Sequence, residues 1–227
     1  MTDLQIEIVC ATPLSEDDFW LRSALGNSLR YIGFDARIAT CIHYENRLSP
    51  AEAYNDSIGA ERDSTVLVFV QDDLWLQDYF LVDRLSAGLD LYDVVGLAGC
   101  VRRVKDQSAW FSDGPGLEIQ NGFLSGVLGH GADALGNAHV FGPVPAECEL
   151  LDGGFMAARR RTLVEHQLLF DSQFGIHFHD MDFCRGARQR GMKLGTCQVS
   201  ATRQSQGAYG TPAWSDGYRA YLAKWGS

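Results

Sequence analysis

Residues 64–73 read Ser-Thr-Val-Leu-Val-Phe-Val-Gln-Asp-Asp. A continuous apolar run from Val66 to Val70 stops at two adjacent carboxylates, Asp72 and Asp73. A run this short and this rich in valine reads as a strand buried on both faces, hence the centre of a parallel sheet. Open α/β sheets bind ligands beyond the carboxyl ends of such strands. Two acids there are poorly placed for packing and well placed for Mg²⁺ or Mn²⁺, which prefer oxygen ligands and often also bind substrate phosphates. The competing reading is helix capping by either acid, for a helix expected from about Trp75 to Leu89.

Around this strand the first hundred residues alternate between strand and helix. Gln5 to Ala11 reads as a strand. Ser15 caps a helix in which Leu21, Ala24, Leu25, Ser28, Leu29 and Ile32 repeat at three-and-four spacing, and Gly33 closes it. Asp35 to Ile42 is a second strand, and Ser49-Pro50 with Glu52 opens a helix that buries Ala51, Tyr54 and Ile58. Asp93 to Val101 is a further strand. Such repetition with short links predicts right-handed crossovers and a mostly parallel sheet. Residues 105–145 are glycine-rich and weakly periodic, which predicts an insertion of loops and short hairpins. Glu147 to Ala158 reads as strand and turn, Asp180 to Arg190 as a helix, Met192 to Ala201 as a strand and Pro212 to Trp225 as a terminal helix. The 227 residues read as one α/β domain, 1–227.

Composition narrows the function. With 29 acids against 19 bases the net charge is −10, which disfavours a general nucleic-acid binder. No apolar run approaches the roughly 18 residues that span a bilayer, and the N-terminus has no signal-peptide pattern. The six cysteines include no CxxC pair and read as reduced core thiols. Together these features predict a cytoplasmic protein.

Two further segments carry candidate chemistry. Leu151-Asp152-Gly153-Gly154-Phe155-Met156-Ala157-Ala158-Arg159-Arg160 places two glycines after an acid, which permits close approach of a ligand but equally makes an ordinary turn. Phe170-Asp171…His177-Phe178-His179-Asp180-Met181-Asp182-Phe183-Cys184 sets two histidines and two aspartates within six residues. These suit a metal or a general base, while Asp180 alone is also explained as a helix cap and each histidine as structural. Asp182 falls off the apolar side of its helix and is expected to be solvated or paired with Arg185 or Arg188.

In this order and spacing, the three segments resemble family-2 glycosyltransferases of the GT-A fold, closest to the small branch related to streptomycin-biosynthesis proteins. Tyr54-Asn55-Asp56-Ser57-Ile58 and the ending Trp214…Lys224-Trp225-Gly226 add to the resemblance, which spans most of the chain outside 105–145. It implies a GT-A-type, Rossmann-like mixed and mostly parallel sheet flanked by helices. Residues 1–103 would form the nucleotide-binding half and 104–227 the acceptor and catalytic half. It also implies transfer of a sugar from a UDP-, GDP- or dTDP-linked donor to a glycan or small-molecule acceptor.

The resemblance makes Asp180 the catalytic base and Asp72 and Asp73 the ligands of Mn²⁺ or Mg²⁺ on the diphosphate. Thr12, Asn55, Asp152, Gly153, Gly154 and Arg203 join the donor side, with His177, His179 and Gln204 as further candidates. Two positions depart from the family pattern. Gln71 replaces the first acid of the strand-end motif, and Arg203-Gln204 precedes Ser205-Gln206-Gly207 where relatives carry a metal-binding histidine. Arg203 could then supply positive charge to the diphosphate itself. The alternatives are a non-catalytic nucleotide-sugar or glycan-binding domain and a metal-dependent nucleotidyltransferase.

Overall fold

The computed structural model describes residues 4–47, 49–205 and 207–226. In chain order the elements are β1 (Ile6–Ala11), α1 (Glu16–Arg22), α2 (Ala24–Ile32), β2 (Ile38–His43), α3 (Pro50–Gly59), β3 (Val66–Val70), β4 (Leu74–Leu76), α4 (Leu81–Leu89), β5 (Val94–Gly96) and β6 (Ala98–Cys100). They continue with β7 (Leu124–His130), β8 (Asn137–Gly142), β9 (Glu147–Cys148), β10 (Leu150–Leu151), β11 (Phe155–Arg159), α5 (Arg160–Glu165), α6 (His179–Gln189), β12 (Leu194–Thr196), β13 (Ala201–Arg203) and α7 (Pro212–Trp225).

The described residues form two sheets. The larger has the order β2-β1-β3-β11-β5-β12-β9. Its strands β2, β1, β3, β5 and β12 run one way, and only β11 and β9 oppose them. The sheet is mixed and mostly parallel, as expected. β3 is an interior strand, parallel to β1 on one side and antiparallel to the middle strand β11 on the other, with every residue at most 1% exposed. Its side chains alternate between two cores, as strand geometry requires. Leu67 and Phe69 join Tyr54, Phe170 and Phe183 on one side, and Val66, Val68 and Val70 join Phe19, Leu25 and Leu85 on the other. At about 1.5–3 kcal/mol per large apolar side chain removed from water, this strand anchors both layers.

The second sheet has the order β10-β6-β7-β13-β4, with β8 also paired to β7, and it revises several expectations. Leu74–Leu76 is a strand rather than the start of a helix, because it pairs with β13 and buries alternate residues Leu74 and Leu76. The helix begins only at Leu81, so neither Asp72 nor Asp73 caps it. The stretch 93–101 splits into β5 and β6, which belong to different sheets and turn about Leu97. The stretch 192–201 likewise divides between β12 and β13. The helix expected after Ser15 is two helices. The Ser23 hydroxyl accepts from the Gly26 amide and donates to the Phe19 carbonyl (2.7 Å), capping α2 and breaking the run.

The glycine-rich segment does contain a hairpin, β7–β8. It is not an appendage, because β7 pairs with β6 and β13 at the middle of the second sheet. The six cysteines are all free thiols, five of them buried. No helix among the described residues is long and apolar enough to cross a membrane.

Asp182 is also corrected. It is 3% exposed, accepts from the Trp225 indole (2.7 Å) and pairs with Lys224 (2.7 Å), tying α6 to α7. Removing one partner of a buried polar pair strands the other. Asp182→Ala is expected to lower stability by about 1–3 kcal/mol, read as a lower urea midpoint at unchanged m-value.

Candidate active site

The carboxyl end of β3 opens into a cleft of about 510 Å³. Gln71, the residue after the strand, donates its amide to the Gly154 carbonyl (3.1 Å). That bond sets the strand end beside the glycine turn preceding β11. Asp72 accepts from the Thr12 hydroxyl (2.5 Å) just beyond β1, and its backbone carbonyl accepts the Leu25 amide (3.0 Å) at the start of α2. Burial raises the Asp72 pKa; the Thr12 hydrogen bond opposes this, and the Asp73 charge adds to it. Asp73 accepts from the Ser205 hydroxyl on one carboxylate oxygen, and its carbonyl accepts the Gln204 amide (2.9 Å). Its other carboxylate oxygen, Oδ1, is buried and has no partner among the described residues.

Asp152 follows β10 and is 6% exposed. Arg203, at the end of β13, grips it with both terminal nitrogens, Nη2 to Oδ1 at 2.5 Å and Nη1 to Oδ2 at 2.9 Å. The Gly154 amide (2.8 Å) and the Trp110 indole N–H (2.7 Å) complete four donors to this carboxylate. Burial alone would raise its pKa, but the Arg203 charge and these hydrogen bonds hold it below the ordinary aspartate value. Gly154 is glycine for a steric reason, since a Cβ there would collide with the Arg203 guanidinium.

Asp180 lies in the first turn of α6 and accepts from the Gly153 amide (2.9 Å) and the Met181 amide (2.8 Å). A Cβ on Gly153 would stand 2.6 Å from the Asp180 Cβ, so a side chain at 153 would push this carboxylate away. Burial raises the Asp180 pKa, with His179 opposing and Asp152 adding to the rise. The helix is entered through Phe178 at φ 66°, a left-handed conformation that a bulky residue adopts at a cost of about 1–3 kcal/mol. Strain of this kind sits two residues from the carboxylate it positions.

The fold thus brings Asp72, Asp73, Asp152, Gly153, Gly154, Asp180 and Arg203 to one cleft, with His177 and His179 on its wall. Thr12 acts through Asp72. Burial lowers the His177 pKa. His179 is 1% exposed, with Nδ1 3.0 Å from the Ile176 carbonyl and Nε2 without a partner among the described residues. Two candidates stand apart. The Asn55 amide is spent on the Phe170 backbone, donating to its carbonyl (2.8 Å) and accepting from its N–H (2.9 Å). The Gln204 side chain turns to the Ala132 carbonyl (3.1 Å). Ser205, Tyr209 and Trp214 line the cleft without having been singled out as site residues. For Ser205 the only sequence signal was the Ser-x-Gly element after Arg203.

Four carboxylates share the cleft, and its arginine is already neutralised by Asp152. Arg203 therefore does not offer a free charge to an anionic ligand. Among the described residues no group of three or more His, Cys, Asp or Glu could hold a metal ion. Asp72 and Asp73 still fit a Mg²⁺ or Mn²⁺ bound in the usual way, by one or two carboxylates together with substrate phosphates and water. The unpartnered, buried Asp73 Oδ1 is the observation that favours that fit.

No family model and no curated protein matches the sequence. Solved structures do. A197 from STIV superposes with a TM-score of 0.51 at 14% identity, over 87% of this chain and 83% of that one. GalNAc-T7, crystallised with UDP, GalNAc and Mn²⁺, superposes with a TM-score of 0.53 at 12% identity, over 96% of this chain and 48% of that one. The present chain thus spans about half the length of the GalNAc-T7 chain. At such identities the likeness concerns architecture alone. The fold is a mixed α/β fold of the GT-A-like glycosyltransferase type.

Proposed function

We propose that this protein is a cytoplasmic glycosyltransferase that moves a sugar from a nucleotide-diphosphate donor to an acceptor hydroxyl, with inversion and with a divalent cation on the diphosphate. The observation that carries the reading is the placement of Asp180, a carboxylate of raised pKa, in one cleft with the Asp72–Asp73 pair and its unpartnered oxygen. The bound UDP, GalNAc and Mn²⁺ of GalNAc-T7 support the same reading. Its narrower placement, in the branch related to streptomycin-biosynthesis proteins, rests on the sequence motifs. Residues 1–103 would serve the nucleotide and 104–227 the acceptor and the chemistry.

In this scheme Asp180 takes the proton of the acceptor hydroxyl as that oxygen bonds to the anomeric carbon and the bond to the diphosphate breaks. Its raised pKa suits a base. The Gly153 and Met181 amides fix its direction, so the carboxylate needs no reorganisation during the reaction. Asp72 and Asp73 would hold the cation, which would supply Lewis-acid stabilisation of charge on the departing diphosphate. Asp152 stays ionised and paired, and it shapes the turn rather than reacting.

A second reading has one observation in its favour. With Arg203 neutralised and only two carboxylates for a metal, the cleft could hold a nucleotide sugar without turning it over. A thermal-shift screen of UDP-, GDP- and dTDP-sugars with Mn²⁺ tests both readings. At least one donor is expected to raise the melting temperature, and no response to any donor, with or without metal, excludes them. Catalysis is separated from binding by Asp180→Asn, which should lower turnover by about 10²–10⁴-fold while the donor-induced shift persists. Unchanged turnover would remove Asp180 as the base.

Since the base acts ionised, activity is expected to fall as pH drops through the raised Asp180 pKa. The acid limb should therefore lie above the ordinary 3.8 of an aspartate. A limb at or below that value in a kcat/KM profile contradicts the assignment. Asp73→Ala, or chelation by EDTA, should abolish the Mn²⁺-dependent part of donor binding in a calorimetric titration. Donor affinity indifferent to metal in the wild type would remove the cation from the proposal.

A further inference from the structure

We infer that Trp214 forms the stacking wall of an acceptor subsite beside Asp180, built for the face of a pyranose ring, so that the acceptor hydroxyl is carried by a sugar. The inference deepens the glycosyltransferase reading and rests on it for the word acceptor.

Five large aromatic side chains line the cleft, and three of them are too buried to offer a ring face. Tyr54 is 2%, Phe178 4% and Trp110 5% exposed. Trp110 is in addition held by its indole hydrogen bond to Asp152. Tyr209 and Trp214 are the partly exposed ones.

Trp214 is the more firmly held of these two. It sits in the first turn of α7, where its amide donates to the Thr211 hydroxyl (3.2 Å) that caps the helix. Tyr218, one turn on, stacks against it at 5.6 Å and 17°, and Phe178 packs at 5.8 Å. The Tyr218 hydroxyl is in turn anchored on the Asp106 carbonyl (2.5 Å). The indole is thus supported by these rings within the protein while still lining the cleft. Among the described residues its N–H has no protein partner.

Phe178 fixes the location, because this residue enters α6 two positions before Asp180. The indole therefore stands at the Asp180 end of the cleft, whereas Asp73 lies at the Ser205 end. Tyr209 also lines the cleft, and burial together with the Asp152 and Asp180 charges raises the pKa of its hydroxyl. An immobilised aromatic face with a free N–H at its edge matches the chemistry of a pyranose. The ring C–H bonds lie on the indole, and an equatorial hydroxyl accepts the N–H. Because the side chain is already fixed, little rotamer entropy is lost on binding.

The test titrates the full chain, and its Trp214→Leu and Trp214→Phe variants, with maltose, lactose and cellobiose, using myo-inositol as a polyol without a pyranose ring. Saturation-transfer NMR is the readout. At least one disaccharide should bind the wild type with transfer centred on ring C–H protons, and inositol should not. Trp214→Leu keeps apolar contact with Tyr218 but removes the ring, and it should weaken that binding by about tenfold. Trp214→Phe should retain most of it. Absence of disaccharide binding, equal binding of inositol, or full affinity in a folded Trp214→Leu each overturns the inference. The wild-type response to UDP-sugars with Mn²⁺, read in parallel, reports on the donor site. Its failure alongside Trp214-dependent disaccharide binding would remove glycosyl transfer and leave a pyranose-binding cleft.

Discussion

The ion pair between Asp152 and Arg203 is the constraint on which the arrangement of the cleft depends. It joins the turn before β11, a strand of the larger sheet, to the end of β13 in the smaller one. A carboxylate this buried is tolerated only when its oxygens are saturated, and here four N–H groups saturate them. Losing one partner of such a pair costs about 3–5 kcal/mol, because the remaining charge stays buried. The same contact dictates local sequence. Gly154 must lack a side chain to admit the guanidinium, and Gly153 must lack one to admit Asp180. A short acid–glycine–glycine turn therefore fixes two carboxylates of opposite character. One is held below the ordinary pKa by a cation, and the other is raised by burial.

Opposed pKa shifts within one cleft reflect the different surroundings of the two carboxylates, one paired with a guanidinium and one only buried. They also have opposite consequences for stability. The lowered Asp152 favours the fold above its unfolded pKa, and that contribution is lost as pH falls through the folded value. The raised Asp180 favours the fold below its unfolded pKa, and its contribution is lost as pH rises through the folded one. The Asp152 contribution is thus present at neutral pH, whereas burial penalises the ionised form of Asp180. The left-handed Phe178 adds local strain at the same point.

Much of the fold was legible in the sequence because burial on two faces leaves a simple trace. The Val66–Val70 run identified a strand buried on both faces, and Ser49-Pro50 and Ser15 marked helix starts that the structure keeps. Where one stretch serves two sheets, the trace was misleading. Residues 94–101 hold no polar side chain and 192–201 mix apolar and polar positions without a break, so nothing local marks the bend at Leu97 or the change of sheet before Ala201. Leu74–Leu76 is too short for its alternation to be told from a helical turn, and only pairing with β13 decides it.

The sequence by itself determined the chemical inventory: a strand ending in Asp72 and Asp73, an acid before two glycines, and Asp180 at a helix start. It also determined their order, which pointed to the GT-A-like fold that the structure has. Only the tertiary structure decided how these groups are spent. Arg203, free in the sequence, is consumed by Asp152; Asn55 is consumed by the Phe170 backbone; and Trp214, legible only as part of the C-terminal ending, lines the cleft. The physical reason is range. Hydrophobic periodicity and capping act over a few residues and are written in consecutive positions. Charge pairing and ring stacking act between residues 51 and 36 positions apart, as from Asp152 to Arg203 and from Phe178 to Trp214, and only the packed chain brings such partners together.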